Sequence, residues 1–340
     1  MRINLNTSIV FLFVLLVVTC SKDDDETTAT PPRDRAEQQA SDLDTLQNYF
    51  NTHYYNSGAL ANLPTYPTIN DIEISKLEEG QTLPENTTLL ADAVQEKTTV
   101  YKDVDYKYYL LKLKEGQGDQ PHFTDQVRVN YEGSLMNGNN FDSSVNPVDV
   151  DLVSSISGWS RVMPQFRTAS GYTTNNNGTV TFENYGLGVM FLPSGLSYFN
   201  NSATGIPSYS CLVFKFELHQ YQVMDHDNDF IPSYMEDRNN NMDVSDDNTD
   251  DDRFSNFADT DDDGDGYKTF REITYITYSQ PTREALEIEL QGLSPAANQF
   301  ITAIEMEEDG SFSAKLVTLE DTNGNGIPNY LDSDDAQTLN

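Results

Sequence analysis

Val127-Arg128-Val129-Asn130-Tyr131-Glu132-Gly133 alternates apolar and polar side chains. That is the pattern of a strand with one buried face and one wet face. Leu212 to Leu218 repeats it, with Leu212, Phe214, Phe216 and Leu218 on one side. Tyr106 to Leu113 is aromatic enough for a third strand. Asn137-Gly138 is a turn dipeptide, and the one helix-like piece in this region is short, near Trp159 to Thr168. The expectation is an α+β domain over residues 101–223, an antiparallel sheet wrapped on one short helix, of ordinary domain size.

Five blocks in this stretch, taken in order, resemble FK506-binding-type (FKBP-type) peptidyl-prolyl cis-trans isomerases. Val127 to Gly133, Leu135, Gly138 and Phe141-Asp142-Ser143-Ser144 are similar to the family's VxVxYxG and FDSS segments. Ile156-Ser157-Gly158-Trp159 resembles the start of its helix. Phe191 to Tyr198 and Ile206-Pro207 through Leu218 resemble its two last blocks. The likeness runs from about Leu110 to Gln220 and implies an enzyme that rotates X-Pro bonds in polypeptides, with no cofactor for catalysis.

The resemblance also implies roles. Trp159 is the floor of a pocket, and Tyr131, Phe141 and Phe214 are its apolar walls. Ile156 lines the rim and offers its backbone N–H to a substrate carbonyl. The Tyr198 hydroxyl bonds the ligand backbone, Asp142 is a polar anchor at the edge, and Ile206 closes the far side. Composition alone makes these aromatics ordinary core; only the ordered blocks make them a pocket. The chain departs from the family in three places. The stretch from Phe141 to Trp159 is short, with Val148 where an aromatic wall is usual. Phe199 replaces a glycine after Tyr198. An insertion from Tyr172 to Glu183 is centred on Asn175 to Gly178.

Such a pocket suits the chemistry. Rotation about an X-Pro bond breaks amide resonance, against a barrier of ~18–20 kcal/mol, and needs neither nucleophile nor metal. A dry aromatic site favours the twisted, less polar amide over the planar one, while fixed donors hold the peptide carbonyls.

The charge balance points elsewhere in the chain. The 340 residues carry 20 Lys plus Arg against 55 Asp plus Glu, a net charge of −35. That excludes a binder of nucleic-acid phosphate and any simple attraction to anionic membrane. Two cysteines exclude a disulfide framework and a cysteine zinc site. Residues 224–340 hold much of the acid, and Asp225 to Glu272 has seventeen acidic residues against four basic ones.

The spacing of those acids reads as calcium loops. Asp261, Asp263, Asp265, Gly266, Tyr267 and Glu272 fit D-x-D-x-D-G-x₅-E, with the position-7 ligand a backbone carbonyl at Tyr267. The register recurs as Asp225, Asp227, Asp229 and Glu236, as Asn248, Asp250, Asp252 and Asp259, and as Asp321, Asn323, Asn325 and Asp332. Ile231-Pro232 and Ile327-Pro328 make these loops resemble thrombospondin type 3-like repeats more than helix-flanked EF-hands. Calcium is therefore expected as a structural ion. Between the third and fourth loops, Ile273 to Leu319 reads as a small insertion with strands near Ile273 to Tyr278 and Ser313 to Val317. The four histidines, His53, His122, His219 and His226, share no metal-ligand spacing, and His226 at loop position 2 is expected to point outward.

The start of the chain reads as an address. Arg2 precedes an apolar run from Ile9 to Val18, too short to span a bilayer. Val17-Val18-Thr19-Cys20 resembles the lipobox of bacterial lipoproteins, which implies cleavage after residue 19 and a lipid on Cys20. Ser21, in place of Asp, implies the outer membrane. Ser21-Lys22-Asp23-Asp24-Asp25 resembles the acidic tract of surface-exposed Bacteroidota lipoproteins, with the periplasmic face as the alternative. Residues 20–45 read as a tether, although Leu43, Leu46, Tyr49 and Phe50 give Ala36 to Phe50 a helical period. Residues 46–100, broken by Pro64, Pro67 and Pro84, form an extension without a chemical motif. The functional expectation is a lipid-anchored isomerase of exported or surface proteins. The alternative is a non-catalytic proline-peptide binder or a calcium-dependent spacer or adhesin.

Overall fold

The computed structural model describes residues 31–339; the leader, Cys20 and the acidic tract behind it lie outside the described residues. The chain opens with helix α1 (Arg35–Thr52), started by Asp34, whose carboxylate accepts the Ala36 and Glu37 N–H groups. Residues 35–45, expected as tether, are therefore helical: a capped run of Ala, Gln, Glu and Leu with an apolar stripe folds as soon as a surface exists to receive it. That surface is the back of the main sheet. Leu46 and Phe50 are buried there, with Phe50 edge-on to Tyr109 at 4.9 Å and to Phe191 at 5.0 Å.

Residues 53–92 add β1 (His53–Tyr55), α2 (Ser57–Ala61), β2 (Ile74–Lys76) and β3 (Thr88–Leu89), with the three strands paired in the order β2-β1-β3. The main sheet then takes β4 (Gln95–Tyr101), β5 (Val104–Lys114), β6 (Gln126–Leu135), β7 (Asn140–Ser143) and β8 (Val148–Asp151). After α3 (Ser157–Val162) come a hairpin, β9 (Gly171–Thr174) and β10 (Val180–Glu183), and two long strands, β11 (Gly186–Leu192) and β12 (Leu212–Gln222). The sheet order is β4-β5-β11-β12-β6-β7, all antiparallel, with β8 on the outer edge of β6 beside Val127 to Val129. It begins at Gln95, so β4 belongs to the sheet and not to the extension. The inserted stretch Tyr172 to Glu183 is the β9–β10 hairpin, its turn closed by Gly178 at φ +81°.

Alternation along the strands makes two cores. Leu110, Met190, Leu192, Phe214 and Phe216 face α3 with Trp159, Met163 and Phe166. Tyr109, Leu111, Val189, Phe191 and Val213 face α1. The sheet is covered by a long helix on one face and a short one on the other, so one short helix was half of the answer.

Beyond Val223 the chain is loops and single 3-10 turns until β13 (Ile273–Gln280), α4 (Arg283–Gln291), β14 (Gln299–Ile301), β15 (Glu305–Met306) and β16 (Phe312–Leu319) form a small sheet around β16. Ile231 from the first acidic loop and Tyr330 from the last bury together against Ile273 and Val317. The insertion is thus the hydrophobic core on which the acidic loops close.

Candidate isomerase cleft and cation loops

The aromatic residues assemble as expected. A cleft of about 600 Å³ is lined by Tyr131, Phe141, Asp142, Ile156, Trp159, Tyr198, Ile206 and Phe214. Strand β6 supplies Tyr131, β7 supplies Phe141 and Asp142, and β12 supplies Phe214. Trp159, on the first turn of α3 and only 5% exposed, is T-shaped to Tyr131 at 5.5 Å and to Phe214 at 5.4 Å. Phe141 meets Phe214 edge-on at 5.6 Å. Gly133 makes this packing possible, since a Cβ there would lie 2.7 Å from the Phe141 ring and 2.8 Å from that of Phe214.

The rim is polar. Ile156 is the N-cap of α3; it has extended backbone angles and its carbonyl accepts the Trp159 N–H. The Tyr131 hydroxyl donates to the Asp142 carboxylate at 2.6 Å, and burial with that neighbouring charge pushes the phenol up to about 12. Tyr198 stands 37% exposed at the mouth. Ile206 exchanges both backbone hydrogen bonds with Ala203, which folds a small flap beside Phe141. Val148 is not a wall: it sits on the exposed edge opposite Val129, and Val150 lines the cleft instead.

Phe199 occupies a glycine's place at a glycine's angle, φ +52°. Its ring is buried edge-on to Tyr209 at 5.2 Å, and the Arg35 guanidinium of α1 lies 4.2 Å above it. Asp42, two helical turns further along α1, accepts the Ser194 N–H and hydroxyl at 2.8 and 2.6 Å. The first turns of α1, read from the sequence as tether, therefore fasten the loop that leads to Tyr198.

The acidic region is built from five loops, one more than the spacing suggested. Asp225 accepts the N–H groups of Asn228, Asp229 and Phe230, and Asp321 accepts those of Gly324, Asn325 and Gly326. Asp237 does the same for Asn241 and Met242, which opens a loop over 237–248. Its register positions are Asp237, Asn239, Asn241 and Asn248, too poor in acid to register as a motif, although its twelve-residue step from Asp225 was a usable signal. Position 4 takes a left-handed angle in every loop (Asn228, Asn240, Asp251, Gly264, Gly324), and position 6 does so in four (Phe230, Met242, Gly266, Gly326). Arg253 stays outside that region, so the loop from Asn248 turns differently.

The carboxylates converge in three groups, each with oxygens within 4.8 Å of one another: Asp227, Asp229, Glu236 and Asp262; Asp250, Asp252 and Asp259; and Asp261, Asp263 and Asp265. Asp262 was missed. It lies at position 2 of its own loop, yet its side chain crosses to the first loop. In the first group both oxygens of Asp227 and Glu236, Oδ2 of Asp229 and Oδ1 of Asp262 are buried without a partner among the described residues. Both Glu272 oxygens are equally orphaned, as is Oδ1 of Asn248. The fourth predicted loop differs. Asn323 and Asn325 turn their amides onto Asp332 at 2.9 and 2.7 Å, so its acids are satisfied internally. The Tyr267 side chain is exposed and its N–H goes to Asp265.

Burial and mutual repulsion dominate the first group. Burial, then the negative charge of Asp229, pushes Glu236 up to about 11; Asp262, Asp229 and Asp227 rise for the same leading reason. Three buried carboxylates and a half-buried fourth converging on one point call for protons or a cation. Hard oxygen donors of this number suit calcium.

The histidines have structural partners. His122 stacks on Tyr234, and His219 is buried on Phe182. His226 does not point outward: its Nε2 is 3.5 Å from Oδ1 of Asp151, and its Nδ1 is 2.8 Å from the Ser233 hydroxyl.

Known proteins resemble the chain in two separate places. Residues 118–219, which include every cleft residue from Tyr131 to Phe214, match the family model described as FKBP-type peptidyl-prolyl cis-trans isomerase. Residues 226–299 match a second family, described as BamM C-terminal. Among individual relatives, the FKBP-type peptidyl-prolyl cis-trans isomerase FkpA of Buchnera aphidicola is 33% identical over 112 residues, 32% of this chain and 38% of that protein. FkpA of Aeromonas hydrophila is 34% identical over 108 residues, 31% of this chain and 34% of its own length. The crystal structure of FkpA from Escherichia coli aligns at 27% identity and a TM-score of 0.28, over 34% of this chain and 47% of that one. The chain spans under half the length of the curated relatives it matches.

Proposed function

We propose that this protein is a peptidyl-prolyl cis-trans isomerase acting on X-Pro bonds of exported polypeptides. The observation that carries the reading is the cleft in which Trp159, Tyr131, Phe141 and Phe214 meet edge to face beneath the Ile156 and Tyr198 rim. A prolyl ring seated on Trp159 is stripped of water, and the donors at the rim hold the flanking carbonyls while the amide twists. The reading extends to a lipid anchor at Cys20 in the bacterial outer membrane, which rests on the sequence Val17 to Asp25. It also includes calcium in the acidic loops, supported by the orphaned buried oxygens of Asp227, Glu236 and Glu272.

The test is exchange spectroscopy on an X-Pro peptide with the wild-type protein and Trp159→Ala. Rate enhancement by the wild type, lost in the variant, is expected. Quenching of Trp159 fluorescence by the peptide without any turnover would select proline-peptide binding in place of catalysis. Labelling with a radioactive fatty acid, abolished by Cys20→Ala, checks the anchor.

A further inference from the structure

Asp262 belongs to one acidic loop by sequence and to another by position. Its carboxylate joins Asp227, Asp229 and Glu236, and all four side chains but Asp227 are almost wholly buried, with Glu236 1% and Asp262 2% exposed. We propose that a calcium ion held between these two loops through Asp262 clamps the acidic region against the back of the isomerase cleft, and that its occupancy sets the cleft's activity. The inference rests on the isomerase and calcium readings above and adds the coupling between them.

The first loop interleaves ligands with docking residues. His226 lies between Asp225 and Asp227 in sequence and reaches Asp151; Tyr234 stands two residues before Glu236 and stacks flat on His122, ring centres 3.6 Å apart. An ion that draws Asp227, Asp229 and Glu236 to one point fixes the side chains between them. Asp262 ties that point to a second loop, so the clamp cannot open by a local flexure of the first loop alone.

The docking surface is the outer side of a cleft wall. Asp151 accepts the Val153 N–H at 2.9 Å and the Ser154 hydroxyl at 2.7 Å, while Val150, Ser154, Ser155 and Ile156 line the cleft. The next acidic loop continues the contact. Met242 to Ser245 and Leu152, Val153, Ser157 and Arg161 enclose a space of about 170 Å³ immediately behind α3, the helix of Trp159. One layer of chain therefore separates the ion-held loops from the substrate site. A ligand that shifts the population of one arrangement of that layer changes the behaviour of the site on its far side.

The experiment uses the purified protein, calcium and a chelator, with two readouts: calorimetric titration of calcium, and turnover of an X-Pro peptide. Calcium is expected to change turnover by about fivefold or more, the lower end of ordinary coupling between sites. Asp262→Asn should bind fewer ions than wild type and turn over at the chelated rate even in calcium; Glu236→Gln is the second variant should the first not fold. Tyr234→Ala should retain the ions, with a rate that no longer responds to them. If calcium binds and turnover is the same with and without it, the coupling is overturned while the calcium reading stands. If no calcium binds, both fall together. Undiminished ion binding in a folded Asp262→Asn overturns the crossing ligand. Should turnover be nil in every state, quenching of Trp159 by the peptide replaces it with the same expectations, and only the isomerase reading is lost.

Discussion

The Arg35 guanidinium lies 4.2 Å from the centre of the Phe199 ring, and Phe199 directly follows Tyr198 at the mouth of the cleft. The same arginine donates to the Gly195 carbonyl and the Tyr106 hydroxyl. Arg35→Ala removes a cation–π contact and two hydrogen bonds, for a loss of about 1–2 kcal/mol. The expected result is a KM for an X-Pro peptide several times higher with kcat little altered, since the rim loosens while the Trp159 floor stays. Steady-state kinetics check it, and a fall in kcat at constant KM would refute this role.

Gly133 is packed beneath two rings. Gly133→Ala puts a methyl group 2.7 Å from Phe141 and 2.8 Å from Phe214, so both rings must move toward the cleft. Overpacking of this kind costs about 1–3 kcal/mol. The variant should unfold at a lower temperature and show a smaller quenching of Trp159 by proline peptides. Unchanged quenching would mean that the rings yield away from the cleft.

Burial raises the Asp42 carboxyl above its ordinary 3.8, against hydrogen bonds from Ser194 and Gln38 that lower it. The native state then holds this proton more tightly than the unfolded state. Stability attributable to Asp42 therefore falls as pH climbs from 3.8 through the raised folded value, and stays low above it. In Asp42→Asn that decline should vanish. Urea midpoints compared across the weakly acidic range measure it, and parallel curves for the two proteins would contradict the assignment.

Calcium removal should be felt as heat lability. An ion that binds only the folded loops adds about 2.7 kcal/mol at a hundred times its dissociation constant. A chelator should lower the thermal midpoint by several degrees, and magnesium, which demands tighter octahedral geometry, should restore it poorly. An unchanged midpoint would leave the acids as a solvated surface.

The sheet and cleft could be read from the chain because both follow short-range rules. Alternation in Val127 to Gly133 and Leu212 to Leu218 sets which side chains face α3, and the pocket residues travel with those strands. What escaped depends on distant pairs. Nothing in Phe199 itself announces Arg35, and nothing in Asp262 announces Glu236, because each relation is made by loops folding back over one another. The tether was overextended for a related reason: the period of Leu43, Leu46, Tyr49 and Phe50 marked a helix, but its polar first turns owe their burial to the distant Ser194 loop that Asp42 holds. The fifth loop was hidden because asparagine replaced acid at its register positions, while its left-handed turns at Asn240 and Met242 kept the shape.

The stretch from Val150 to Arg161 faces the cleft on one side and the acidic loops on the other. Two parts that share a wall cannot drift independently over evolutionary time. A change at Met242 or Val244 is tested by selection on Ser155 and Trp159, and a change in the wall is tested by both neighbours. The shortened run between Phe141 and Trp159, which departs from the family pattern, contains most of this wall. Grafting a longer run between these two residues into this chain would displace the wall that both neighbours contact.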